Sequence, residues 1–178
     1  MRIVKRIALA LALLIVCVLL FALTKPDTFS VQRSITINAA PDKVFALIND
    51  FQQWSVWSPW EKLDPAMKRT FSGPASGKGA VYAWEGNSDV GAGRMEILDV
   101  TQPSRVFIDL HFLSPMEGRN TAEFLLQPQG AATTVSWTMQ GPNPYIAKVF
   151  QVFCDVADMV GKDFDKGLAS MKAAAEKN

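Results

Sequence analysis

The chain has 178 residues, 49% hydrophobic and 20% charged, with 18 basic against 17 acidic side chains, one histidine and two cysteines. So even a balance, with no run of Lys or Arg, excludes a basic field for polyanions, and no nucleic-acid partner is expected. One histidine and two cysteines, with no spaced cluster of either, exclude the usual metal centres, and neither metal nor other cofactor is expected.

Arg2, Lys5 and Arg6 precede an uncharged apolar run over residues 7–23. As a helix the run is roughly 26 Å long, at the short end of what crosses a bilayer. A cleaved signal peptide is the competing reading, and it calls for a shorter apolar region followed by a small-x-small site. The exit reads Phe21-Ala22-Leu23-Thr24-Lys25-Pro26, which offers no such site. Cys17 follows Leu14-Ile15-Val16, not the small residue of a lipoprotein signal. The expectation is an uncleaved single-pass anchor over residues 1–24. The positive-inside rule then places residues 25–178, the size of one domain, on the extracytoplasmic (periplasmic) side. That domain carries two more acidic than basic side chains. Its single cysteine, Cys154, leaves it without an internal disulfide.

After the linker, residues 29–38 alternate as a first strand with Val31, Ile35 and Ile37 on one face. Pro41 and Asp42 suit the first turn of a short helix whose apolar face is Val44, Phe45 and Ile48. That helix gives out at Asn49-Asp50, and Trp54, Trp57 and Trp60 crowd the next segment. Residues 61–66 read as a loop or helical turn, 67–71 and 80–85 as short strands, and 94–100 as an alternating strand. Glycine-rich turns separate them. Residues 105–113 place Val106, Ile108, Leu110 and Phe112 on one face; 119–126 and 132–139 repeat the pattern with Phe124 and Trp137. Such alternation argues for an antiparallel meander with one face buried. From Tyr145 to about Ala175 the period becomes helical, with Phe153, Val160, Phe164, Leu168 and Met171 on one stripe, and a single long helix across the sheet is predicted.

The block over residues 35–60 (strand, Pro41-Asp42 helix, tryptophan loop) and the terminal helix resemble the SRPBCC superfamily, the START and Bet v 1-like domains of polyketide cyclase/dehydrase type. The resemblance covers nearly all of residues 29–177. It implies an α+β helix-grip fold, with a curved antiparallel sheet wrapped on a long C-terminal helix and an apolar cavity between them. It does not settle ligand or chemistry.

No nucleophile elbow surrounds any serine, and His111 falls with Asp109 on the solvent side of its strand. Glu96, Asp99, Asp109 and Glu123 read as outer-face carboxylates, and no catalytic residue is assigned. The inward set is far better defined. The expected ligand-binding residues are Trp57, Trp60, Tyr82, Trp84, Met95, Ile97, Ile108, Leu110, Phe112, Phe124, Trp137, Phe153 and Val160. The leading expectation is a membrane-anchored binding domain for a hydrophobic small molecule or lipid. One alternative is a cyclase, dehydratase or hydrolase acting in the same cavity through Tyr82, Arg94 and Glu96. The other is a protein-interaction module. The sequence leaves open whether the protein is an enzyme.

Overall fold

The period-two stretches pair into one seven-stranded sheet in the computed structural model, which describes residues 2–177. The strands are β1 (Thr28–Ile37), β2 (Lys68–Ser72), β3 (Val81–Glu85), β4 (Ala92–Thr101), β5 (Arg105–Ser114), β6 (Gly118–Gln129) and β7 (Ala132–Pro142). Their order is β1-β7-β6-β5-β4-β3-β2 and every pairing is antiparallel. Strands β2 to β7 form a meander, and β1 returns to pair with β7. The fold is α+β, with helices on the buried face of the sheet, as the alternation predicts.

Register sorts the loops between two ends. Thr28 lies opposite Pro142, Phe112 opposite Gly118, Ala92 opposite Ser114, and Glu85 opposite both Ala92 and Lys68. These positions form the near end, where the chain enters from helix α1 (Arg2–Leu23). At the far end, Ile37 faces Thr133 and Thr101 faces Arg105.

Helix α2 (Pro41–Asn49) starts on Pro41 and buries Val44, Phe45 and Ile48, as its spacing dictates. Its last carbonyls have no partner inside the helix. Two of them accept from indoles, Trp54 Nε1 donating to the Ile48 oxygen at 3.0 Å and Trp57 Nε1 to that of Leu47 at 2.8 Å, and the Asn49 oxygen accepts the Gly77 N–H at 3.0 Å. The short helix α3 (Trp54–Trp57) and a 3-10 turn over Pro59–Lys62 follow.

The single C-terminal helix expected from periodicity is two helices, α4 (Tyr145–Phe150) and α5 (Val156–Ala175). Asp155 causes the break: its carboxylate accepts the Asp158 N–H at 2.9 Å, so it caps a new helix rather than continuing the old one. The apolar spacing runs across the break and masks it. Helix α5 buries Phe164, Leu168 and Met171 against the sheet. Its last turn is tied to the far end. Lys172 Nζ donates to the Thr36 carbonyl at 2.7 Å, and Glu176 accepts the Asn38 N–H at 2.6 Å. The hydrogen bonds from Lys172 and Asn38 hold the Glu176 carboxyl below its ordinary pKa.

The hydrophobic cluster begins at Val31 and takes nothing from α1. Helix α1 has 22 residues, about 33 Å, and is long and apolar enough to cross a membrane.

Candidate functional site: an apolar cavity beneath the terminal helix

Where α2 packs on β5, β6 and β7, the space under the sheet is filled. Between α5, the tryptophan segment and the near half of the sheet it is not, and a cavity of about 330 Å³ remains. Tyr82 and Trp84 of β3, Met95 of β4, and Leu110 and Phe112 of β5 form its sheet wall. Trp137 of β7, Trp60 and Val160 complete the part of the lining that the sequence predicts. Residues 88–91 of the β3–β4 turn and Ser114 and Pro115 before β6 also line the cavity, and of these Ser88, Asp89, Ser114 and Pro115 are exposed.

The floor is an aromatic stack. Trp137 lies on Phe164 at 3.8 Å between ring centres and 5° between planes, with Phe124 stacked on it at 4.9 Å. Trp60 meets Trp137 edge-on at 5.7 Å. The Trp137 indole N–H is buried and has no acceptor. Trp84 lies over Gly93, where a Cβ would sit 2.5 Å from the indole and 2.7 Å from the His111 carbonyl oxygen. Glycine there, beside an irregularity in the β4–β5 pairing, makes room for the indole.

One polar constellation touches this lining. Tyr82 donates its hydroxyl proton to Glu61 Oε1 at 2.5 Å, and Arg69 Nε donates to Glu61 Oε2 at 2.7 Å. Arg69 also donates to the Met67 and Glu61 carbonyls, at 2.8 and 3.1 Å. The Glu61 side chain is only 7% exposed, and these hydrogen bonds replace the water it gives up on burial. Burial pushes the Tyr82 phenol pKa well up, and the adjacent Glu61 carboxylate adds to the shift. Among the described residues no lysine, arginine or histidine lines the cavity, and its ionisable lining residues are Glu61, Asp89, Asp163 and Tyr82.

Five of the expected ligand-binding residues lie off this wall. Ile97, Ile108 and Phe124 point inward but are fully enclosed, because the neighbouring core is packed solid. Trp57 is enclosed too, held by its hydrogen bond to the end of α2. Phe153 is 71% exposed, because it falls in the break before α5. Of the three residues named for the enzymatic alternative, Tyr82 lines the cavity, while Arg94 and Glu96 pair with each other at 2.8 Å on the opposite face of the sheet. That face also carries Arg105 with Asp99 and Glu123, and Arg119 with Asp109. His111 lies there as well, 3.3 Å from Glu117. Among the described residues no three His, Cys, Asp or Glu side chains gather as a metal site.

Other lining residues went unassigned from sequence. Phe164 and Met139 lay on apolar stripes already visible, and Trp54 belonged to the tryptophan cluster. Glu61 and Ser58 gave no such signal, since Glu61 stands in a single 3-10 turn with no readable period and Ser58 just before it.

Fold and cavity together define a helix-grip domain, a sheet closed over a C-terminal helix with an apolar chamber between. The chain belongs to the family described as polyketide cyclase / dehydrase and lipid transport, which matches residues 28–176. Its fold is similar to that of the KanY protein, at 19% identity over 84% of this chain and 99% of that one, with a TM-score of 0.62. It is similar to the Aha1 dimer protein of Colwellia psychrerythraea, at 16% identity, 83% and 96% coverage and a TM-score of 0.59. It is also similar to the di-domain ARO/CYC BexL of the BE-7585A biosynthetic pathway, at 19% identity and a TM-score of 0.61. There 89% of this chain covers 53% of the two-domain protein. Among curated proteins none matches this sequence.

Proposed function

We propose that the protein is a membrane-tethered binding domain that holds a neutral or cationic apolar small molecule or lipid in the cavity beneath α5. The observation that carries this reading is the cavity itself, about 330 Å³ with aromatic and aliphatic walls. Burying roughly 300 Å² of apolar ligand surface there contributes about 7 kcal/mol before ordering costs, so no charged clamp is needed for affinity. Acidic lining with no basic side chain disfavours a carboxylate or phosphate inside. In this reading α1 is the anchor, and the basic residues before its apolar run support an extracytoplasmic domain by the positive-inside rule.

The test uses the cavity tryptophans as the readout. Trp54, Trp60, Trp84 and Trp137 line the cavity, four of the five in the chain, so a bound chromophore quenches most of the indole emission. Neutral diphenylhexatriene is expected to quench saturably, and a fatty-acid polyene carrying a carboxylate to bind at least tenfold more weakly, about 1.4 kcal/mol. Ala122→Trp, which puts an indole into the chamber, is expected to abolish quenching while circular dichroism stays unchanged. Equal binding of the neutral and anionic probes would refute the ligand class. Unchanged binding in the variant would refute the site.

A specific observation keeps an enzymatic reading in view: the Tyr82–Glu61 pair touches the cavity. A phenol kept protonated donates to a substrate carbonyl once its hydroxyl turns from Glu61 Oε1 to that oxygen. In that case Tyr82→Phe would retain probe binding and lose turnover of a bound polyketide-like substrate.

A further inference from the structure

The polarity of α4 is inverted. Its one charged side chain, Lys148, is buried, whereas Ile146 is 68% and Phe150 56% exposed. Phe153, just beyond it, is 71% exposed. A water-facing helix turns its lysine out and its phenylalanine in. Here Lys148 turns towards the linker instead, paired with Asp27, whose own side chain stands exposed.

The same segment is fastened to the membrane helix. The Tyr145 hydroxyl donates to the Leu19 carbonyl at 2.9 Å, four residues before α1 ends. Asn143 donates to the carbonyls of Pro26 at 2.9 Å and Asp27 at 2.8 Å. An α1 that crosses the bilayer therefore brings α4 to its surface, apolar side outward.

Strand register puts the exposed lining segments of the cavity at this same end. The β3–β4 turn and the β5–β6 tip lie at the near end with Thr28 and Pro142. Leu113 and Met116 at that tip are 53% and 69% exposed.

We infer that residues 145–153 and the β5–β6 tip form a lipid-facing collar that seats the cavity mouth on the bilayer, so that ligand passes between membrane and cavity without crossing water. The occupant of this apolar surface is the lipid interface itself. A surface helix of this kind buries its apolar residues at the headgroup boundary. The inference rests on α1 being a membrane anchor, and it deepens the carrier reading by naming the route of entry.

Site-directed spin labelling of the full chain in phosphatidylcholine vesicles tests it. With Cys17→Ser and Cys154→Ser as background, nitroxides are placed by Ile146→Cys, Phe150→Cys and Met116→Cys. Leu13→Cys within α1 and Ala131→Cys at the far end are the references. Collision with oxygen is expected to exceed collision with a water-soluble nickel chelate at Ile146, Phe150, Met116 and Leu13, and the order to reverse at Ala131. If Leu13 favours oxygen while Ile146 and Phe150, or Met116, behave like Ala131, the collar is overturned and the anchor stands. If Leu13 also behaves like Ala131, the anchor fails and the collar with it. Neither readout depends on a ligand, so loss of the carrier reading would be seen separately.

Discussion

Replacing Trp137 with alanine is expected to destabilise the domain by about 3–5 kcal/mol, a fall of roughly 2 M in the urea midpoint. The indole is 2% exposed and lies between Phe124 and Phe164, with Trp60 against its edge. Its removal takes away the floor on which the cavity is built, and Phe164 loses the face it stacks on. Trp137→Phe separates packing from polarity. It keeps an aromatic ring in the stack and deletes a buried N–H that has no acceptor. Its cost is expected to stay within about 1 kcal/mol, because the smaller ring's packing loss is offset by removal of an unsatisfied donor. A phenylalanine variant as unstable as the alanine one would mean that the stack is not what Trp137 contributes.

The second large effect is expected at Glu61. Glu61→Ala leaves Arg69 without its carboxylate and Tyr82 without its acceptor, and is expected to cost about 2–3 kcal/mol. The figure sits below that of a fully buried pair because the Arg69 side chain is 27% exposed. The titration of Tyr82 gives an independent reading. Tyrosine is present only at positions 82 and 145, so Tyr145→Phe leaves Tyr82 as the sole phenol. Burial first, then Glu61, raises its folded pKa above the unfolded value of about 10. The sign follows from proton uptake. Below pH 10 both states hold the proton and the stability is fully present. Above it the unfolded state gives up its proton first, so stability falls as pH rises towards the folded value. In the Tyr145→Phe protein, phenolate absorbance is expected to emerge only well above pH 10, or together with unfolding. Glu61→Gln removes the neighbouring negative charge and is expected to lower that onset. An onset at the ordinary tyrosine value, unmoved by Glu61→Gln, would contradict the arrangement.

The architecture could be read in advance because its determinants are periodic. Alternation over β5, β6 and β7 fixes which side of each strand meets the core, and Pro41 with Val44, Phe45 and Ile48 fixes α2. Eight of the thirteen residues expected at the ligand site lie on the cavity wall for the same reason: an inward apolar position is visible as a pattern. Which inward positions border open space is not. Ile97 and Ile108 obey the same alternation as Met95 and Leu110, yet they sit in packed core, while Met95 and Leu110 border the chamber. That distinction depends on where α2 and α5 stop, which is a matter of packing between distant segments. Phe153 lies off the cavity wall for a local reason. Helical spacing from Ile146 to Val160 continues across the Asp155 cap, and a spacing rule does not register the interruption. Glu61 shows the converse. It joins Arg69 and Tyr82 beside the cavity, yet it stands in a single 3-10 turn, and those partners are eight and twenty-one residues away.

The carrier account is tested most directly by native mass spectrometry of residues 26–178, purified without detergent as wild type and as Ala122→Trp. The core takes nothing from α1, so this span contains the whole hydrophobic cluster. The account predicts a defined additional mass on the wild type that organic extraction releases as a neutral or cationic apolar compound, and no such mass on the variant. A wild type that carries no adduct and takes up no diphenylhexatriene, or an adduct equally abundant on Ala122→Trp, would contradict it.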